Sequence, residues 1–97
     1  MEMFFECVIS FSDYNVFIRR GGKKGLAIIY LHDIYGISPS FLRFMQHLAG
    51  EENTIVLPDL YKEVSIETLS DAIHNMKNVN IKELISLINE IVEVLSV

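Results

Sequence analysis

Leu26-Ala-Ile-Ile-Tyr-Leu31 is an uncharged apolar run, and it opens directly into a polar switch, His32-Asp-Ile-Tyr-Gly36. Eighteen residues after that switch comes a second apolar run with an abrupt stop, Thr54-Ile-Val-Leu-Pro-Asp-Leu-Tyr61. The segment between them is marked as a helix at both ends. Ser38 can accept a hydrogen bond from a first-turn amide, Pro39 suits the first helical position, and Gly50 supplies the stop. Inside it Phe41, Leu42, Met45 and Leu48 recur at helical spacing and predict one buried stripe. Strand, helix and strand in this order are a parallel βαβ unit, whose crossover is right-handed. An unbroken apolar run such as Leu26 to Leu31 is the pattern of a central strand covered on both faces. The loop at its carboxyl end is where open α/β sheets bind ligands.

Upstream, Phe4 to Phe11 alternates, with Phe5, Cys7, Ile9 and Phe11 on one side, and predicts a half-buried strand. Ser12-Asp13-Tyr14-Asn15 is a turn cluster, and Val16 to Arg19 reads as the returning strand of a hairpin. Arg19-Arg20-Gly-Gly-Lys23-Lys24 is basic, but its glycines predict a solvated turn. Downstream the pattern is helical. Ser65 is the expected cap of a short helix to about Met76, with Leu69, Ile73 and Met76 inward. Asn78-Val-Asn80 breaks it, and Asn80 with Glu83 has the spacing of a capping-box analogue. The helix that follows, to about Leu95, carries Leu84, Ile85, Leu87, Ile88, Ile91, Val92, Val94 and Leu95. That stripe is too wide for a lone surface helix.

Ninety-seven residues make one α/β domain, and half of them are apolar, which excludes a disordered chain. The net charge of −5 argues against nucleic acid and against an anionic membrane surface. No uncharged stretch has the roughly 20 residues of a membrane helix. The sequence opens Met-Glu-Met-Phe-Phe-Glu, without the basic and apolar regions of a secretory signal. A single cysteine, Cys7, excludes an internal disulfide and fits a reducing, cytoplasmic setting.

His32-Asp33-Ile34-Tyr35-Gly36 and Pro58-Asp59-Leu60-Tyr61, at this separation, resemble the dienelactone hydrolases, a branch of the α/β-hydrolase fold with a cysteine nucleophile. That family carries His or Gln, an acidic residue, Ile, an aromatic and Gly after its third strand, and Pro-Asp-Leu-Tyr after its fourth. The resemblance covers residues 5 to 61 closely and 62 to 97 only as a helical region of fitting length. It implies a partial α/β-hydrolase-like sheet: an N-terminal hairpin, a parallel βαβ pair and two helices, truncated before the nucleophile strand. It implies ester or lactone hydrolysis through a covalent acyl-enzyme in a complete member, with no cofactor and no metal. The backbone N–H of Ile34 would be one oxyanion-hole donor. Asp33 would take the place of a glutamate that contacts the resting thiol, one methylene shorter here, and Tyr35 would line the substrate pocket.

Each of these residues also has a plainer reading. Asp33 can cap its turn, His32 can hold the loop at the strand's end, Tyr35 can pack on the core, and Asp59 can bond amides after Pro58. A nucleophile is missing. Gly36-Ile-Ser38-Pro-Ser40 lacks the last glycine of a Gly-x-Ser-x-Gly elbow, and Cys7 lies in the first strand without an activator. His32, His47 and His74 show no metal-ligand spacing. The expectation is therefore a chain lacking nucleophile, acid and histidine, and inactive alone, with a small ester or lactone as substrate once a complementing C-terminal polypeptide completes it. The alternative is a non-catalytic α/β binding module acting as a homodimer, its interface formed by the sheet edge after the Thr54 strand and by the last helix.

Overall fold

Thr54–Pro58 is the strand on which everything else is hung: Ile55, Val56, Leu57 and Pro58 are all buried. In the computed structural model, which describes residues 5–22, 24–62 and 64–95, the elements run β1 (Cys7–Phe11), β2 (Tyr14–Arg19), β3 (Ala27–Ile29), α1 (Pro39–Ala49), β4 (Thr54–Pro58), α2 (Leu69–Lys77) and α3 (Ile81–Leu95). The four strands form one mixed sheet in the order β1-β2-β4-β3. β1 and β2 are an antiparallel hairpin joined by the two-residue turn Ser12-Asp13, with Phe11 opposite Tyr14. β2 lies antiparallel to β4, with Val16 opposite Pro58, and β3 runs parallel to β4, with Ile28 opposite Ile55.

Strand alternation sends β4 residues to two separate cores. On one face Val56 joins Tyr14, Val16 and Ile18 of β2 beneath Leu87 and Ile91 of α3. On the other, Ile55 and Leu57 join Phe5 beneath Met45 and Ala49 of α1. The result is an α/β sandwich with α1 and α3 on opposite faces of the sheet, as the βαβ pattern requires.

The caps of α1 are where the sequence puts them. The Ser38 hydroxyl accepts from the Phe41 amide at 3.1 Å, Pro39 opens the helix, and Gly50 follows its end. Asn80 opens α3 by accepting from the amides of Lys82 at 2.9 Å and Glu83 at 3.1 Å. Glu83 does not close the capping box. Its carboxylate instead accepts the Tyr14 hydroxyl at 3.0 Å and ties α3 to the hairpin.

Several expectations are corrected. The run Leu26 to Leu31 is not a central strand: β3 has three residues and lies at the sheet's open edge, with Leu26 71% exposed. Since β4 is paired on both sides, the edge expected after the Thr54 strand belongs to β3 instead. Phe4 lies outside the described residues. Phe5 precedes β1 and packs on the opposite face from Cys7 and Phe11, while Ile9 is exposed. β2 begins at Tyr14, because the turn takes only two residues. In α1 the buried pair is Met45 and Ala49, and Leu48 is 59% exposed. The α2 cap is Thr68, whose hydroxyl accepts the Asp71 amide at 3.1 Å, not Ser65. Leu69, Ile73 and Met76 face outward, and Ala72 is the buried residue of that helix. In α1 part of the expected stripe is buried, whereas in α2 the face turned inward is the one that carries Ala72.

The basic segment is drawn into structure at its start. The Arg19 guanidinium donates to the carbonyls of Gly50 and Asn53. Gly25 lies so close to the Glu52 carbonyl that a side chain would collide with it. No helix among the described residues is long and apolar enough to cross a membrane.

Candidate functional site

The two motif loops leave the carboxyl ends of the parallel pair β3 and β4, so the chain brings them side by side. His32 and Tyr61 join them. His32 is buried, 8% exposed, and bonds at both ring nitrogens. Nε2 lies 2.9 Å from the Leu60 amide, which can only donate, so Nε2 is the acceptor. Nδ1 therefore carries the proton and donates to the Asp33 carbonyl at 2.8 Å. One imidazole thus spans both loops in a defined tautomer. Nε2 is 4.0 Å from the Asp59 carboxylate, outside hydrogen-bond reach.

Tyr61 makes the return tie. Its hydroxyl donates to the Ile34 carbonyl at 2.8 Å, and its ring meets the His32 ring edge-on at 4.8 Å. Burial, and then the nearby Asp33 charge, raise the Tyr61 hydroxyl above its ordinary value, so it stays a donor. Gly36 has φ +75°, and a Cβ there would meet the Tyr61 ring at 3.4 Å. The turn therefore needs glycine for its backbone angle.

Ile34 is held at its carbonyl by Tyr61, while its N–H has no acceptor among the described residues. It lies between β3 and α1, and lines a cavity of about 240 Å³ with His32, Leu60, Tyr61, Met76 and Ile81. Asp33 is exposed, and its carboxylate accepts the Tyr35 amide at 2.9 Å, which is the turn-capping geometry. Asp59 does the same for the Tyr61 amide at 3.1 Å. Tyr35 is half exposed and lines a neighbouring cavity of about 440 Å³ with Pro39, Asp59, Val64 and Ile66. Ile34, Asp33 and Tyr35 are thus one loop, set against Leu60 and Tyr61.

The other nucleophile and base candidates stay apart. Cys7 is on β1, separated from β3 by two strands. Ser38 is occupied as the α1 cap, and His47 and His74 are exposed on α1 and α2. Among the described residues no three His, Cys, Asp or Glu side chains are grouped to hold a metal ion. The Tyr61–Ile34 bond had no local signal in the sequence, since it depends on the two loops meeting in space. Comparison of the chain with protein-family models, curated proteins and solved structures finds no match.

Proposed function

We propose that this domain is the oxyanion-binding portion of a dienelactone hydrolase-like ester or lactone hydrolase. In such chemistry an external nucleophile adds to the carbonyl carbon, and the carbonyl oxygen takes the negative charge. Ile34 N–H would donate to that oxygen, with Tyr35 beside the acyl or alcohol group. The alkoxide then leaves with a proton from a general acid, and water cleaves the acyl-enzyme. Nucleophile, acid and histidine would be supplied by polypeptide other than the residues present here.

The observation that carries this reading is the state of Ile34. Its carbonyl is fixed by Tyr61, and its N–H is unclaimed among the described residues. An oxyanion donor must be aimed before charge develops, because a donor that reorganises during the reaction stabilises less. The β3–α1 loop is also where the α/β-hydrolase fold takes its second oxyanion donor.

The coding sequence downstream of codon 97 provides the test. A strand followed by Gly-x-Cys-x-Gly or Gly-x-Ser-x-Gly, with later Asp and His, is expected there. The chain expressed with that segment should hydrolyse p-nitrophenyl acetate or a dienelactone, and the chain alone should not. Ile34→Pro, which deletes that N–H together with the isoleucine side chain, should lower the rate by about 10²-fold or more, and Ile34→Val, which keeps the N–H, should not. Turnover by the chain alone, or an Ile34→Pro enzyme of full activity, would overturn the reading.

A further inference from the structure

Two peptides meet at Ile34, and three of their four polar groups are claimed. The Asp33 carbonyl accepts from His32 Nδ1 at 2.8 Å and from the Gly36 amide at 3.0 Å. The Ile34 carbonyl accepts the Tyr61 hydroxyl, and the Tyr35 amide donates to the Asp33 carboxylate. The fourth group is the Ile34 N–H, which has no acceptor among the described residues. It belongs to the same peptide as the Asp33 carbonyl. That peptide is planar and trans, so its carbonyl and its N–H point to opposite sides. What the carbonyl bonds therefore sets where the N–H is aimed, away from the His32 ring and from Gly36.

The same bonds also change the strength of the donor. Hydrogen bonds in a chain polarise one another, and charge drawn onto the carbonyl oxygen leaves the N–H of that peptide a better donor, by about 10–30% per bond. The Gly36 amide is the ordinary donor of such a turn. The imidazole is an added one, held by a ring that is itself buried. His32 Nε2 already accepts from the Leu60 amide, which fixes Nδ1 as the protonated nitrogen. The two ring nitrogens thus have separate tasks: Nε2 ties down the β4 loop, and Nδ1 acts on the Ile34 peptide. Water at the Asp33 carbonyl would donate without holding the plane, because water must itself reorient as charge develops.

We infer, on the hydrolytic reading of Ile34, that His32 is a positioning residue for oxyanion stabilisation: through Nδ1–H and the Asp33 carbonyl it aims and polarises the Ile34 N–H.

Two variants separate this role from that of a loop tie. Asparagine places its amide nitrogen where Nδ1 stands, and glutamine places its amide oxygen where Nε2 stands. His32→Asn therefore keeps the donor to Asp33 and orphans the Leu60 amide, while His32→Gln keeps the Leu60 acceptor and drops that donor. In the chain joined to its completing segment and hydrolysing p-nitrophenyl acetate, His32→Gln should lower kcat about two- to eightfold at unchanged KM, the share that 10–30% makes of a 10²–10³-fold donor. His32→Asn should retain kcat, yet lower the urea midpoint more than His32→Gln does. The chain alone provides a readout without turnover. Backbone nitrogen relaxation should show the Ile34 N–H rigid in wild type and His32→Asn, with an order parameter of about 0.85, and looser in His32→Gln. The imidazole nitrogen spectrum of wild type should show Nδ1 protonated. A His32 protonated at Nε2, a His32→Gln enzyme with wild-type kcat, or a His32→Asn enzyme that is folded by circular dichroism yet loses kcat would overturn the inference and leave the hydrolytic reading standing. Absence of ester turnover in the completed wild-type chain would instead remove that reading, and the inference with it.

Discussion

His32→Phe isolates the contribution of the imidazole bonds, because phenylalanine keeps a buried ring of similar size against Tyr61. Two hydrogen bonds disappear, and their losses are unequal. The Asp33 carbonyl belongs to an exposed residue, so water can replace the Nδ1–H donor. That exchange costs about 0.5–1 kcal/mol, the net worth of an ordinary hydrogen bond. The Leu60 amide is half buried beneath the ring and would be left without its acceptor. An orphaned buried donor costs about 1–3 kcal/mol. The sum is about 1.5–4 kcal/mol, read as a lower urea midpoint at unchanged slope. Tyr61→Phe supplies the scale, since it removes one bond to the Ile34 carbonyl and should cost about 1 kcal/mol. The double variant should lose less than the two singles together, because His32 and Tyr61 touch and hold the same loops. A His32→Phe chain within about 0.5 kcal/mol of wild type, the scatter of a surface substitution, would refute the claim that His32 binds the loops together.

Three further outcomes are expected. Stability should fall as pH rises above 10, because burial raises both Tyr14, further held by its bond to Glu83, and Tyr61. The unfolded tyrosines then ionise first and draw the chain open, so the contribution is complete below pH 10 and declines above it; Tyr14→Phe/Tyr61→Phe should flatten that alkaline limb in thermal melts. Thr68→Ala should destabilise by about 1 kcal/mol while Ser65→Ala changes little, since Thr68 is the residue that caps α2; equal losses in urea unfolding would refute that. Met45→Ala should cost about 2–5 kcal/mol in the same assay, whereas Leu48→Ala should be nearly neutral, because Met45 is fully buried and Leu48 is not.

The α/β layering was legible because its signals are local. Ser38, Pro39 and Gly50 bound α1 by their own side-chain and backbone chemistry, and the β1–β2 turn is fixed by neighbours. What stayed hidden was sheet order. Leu26 to Leu31 and Thr54 to Pro58 are both apolar, and periodicity does not say which of two such runs takes the middle. β2 decides it by pairing with β4 across some forty residues. The inward positions expected of Leu48 on α1 and of Leu69, Ile73 and Met76 on α2 fail for a related reason. Apolar spacing marks the surface a helix would bury, while the burial itself depends on what lies opposite. At the site, Asp33 and Asp59 each cap a turn, a geometry that their places just after a strand already suggest. The role of Tyr61 required the fold, since nothing near Ile34 in sequence reveals its partner.

The position of β4 also sets an order of events during synthesis. The β1–β2 hairpin closes as soon as its own residues are made, on the microsecond scale of such turns. β3 then has no partner, and its apolar run remains unpaired while α1 is being translated. Only when Pro58 has left the ribosome can one strand dock against both β2 and β3 and unite the two halves of the sheet. Nascent chains ending before β4 thus leave both edges of Leu26 to Leu31 unpaired before chaperones and proteases, and the arrival of β4 closes one of those edges in a single step.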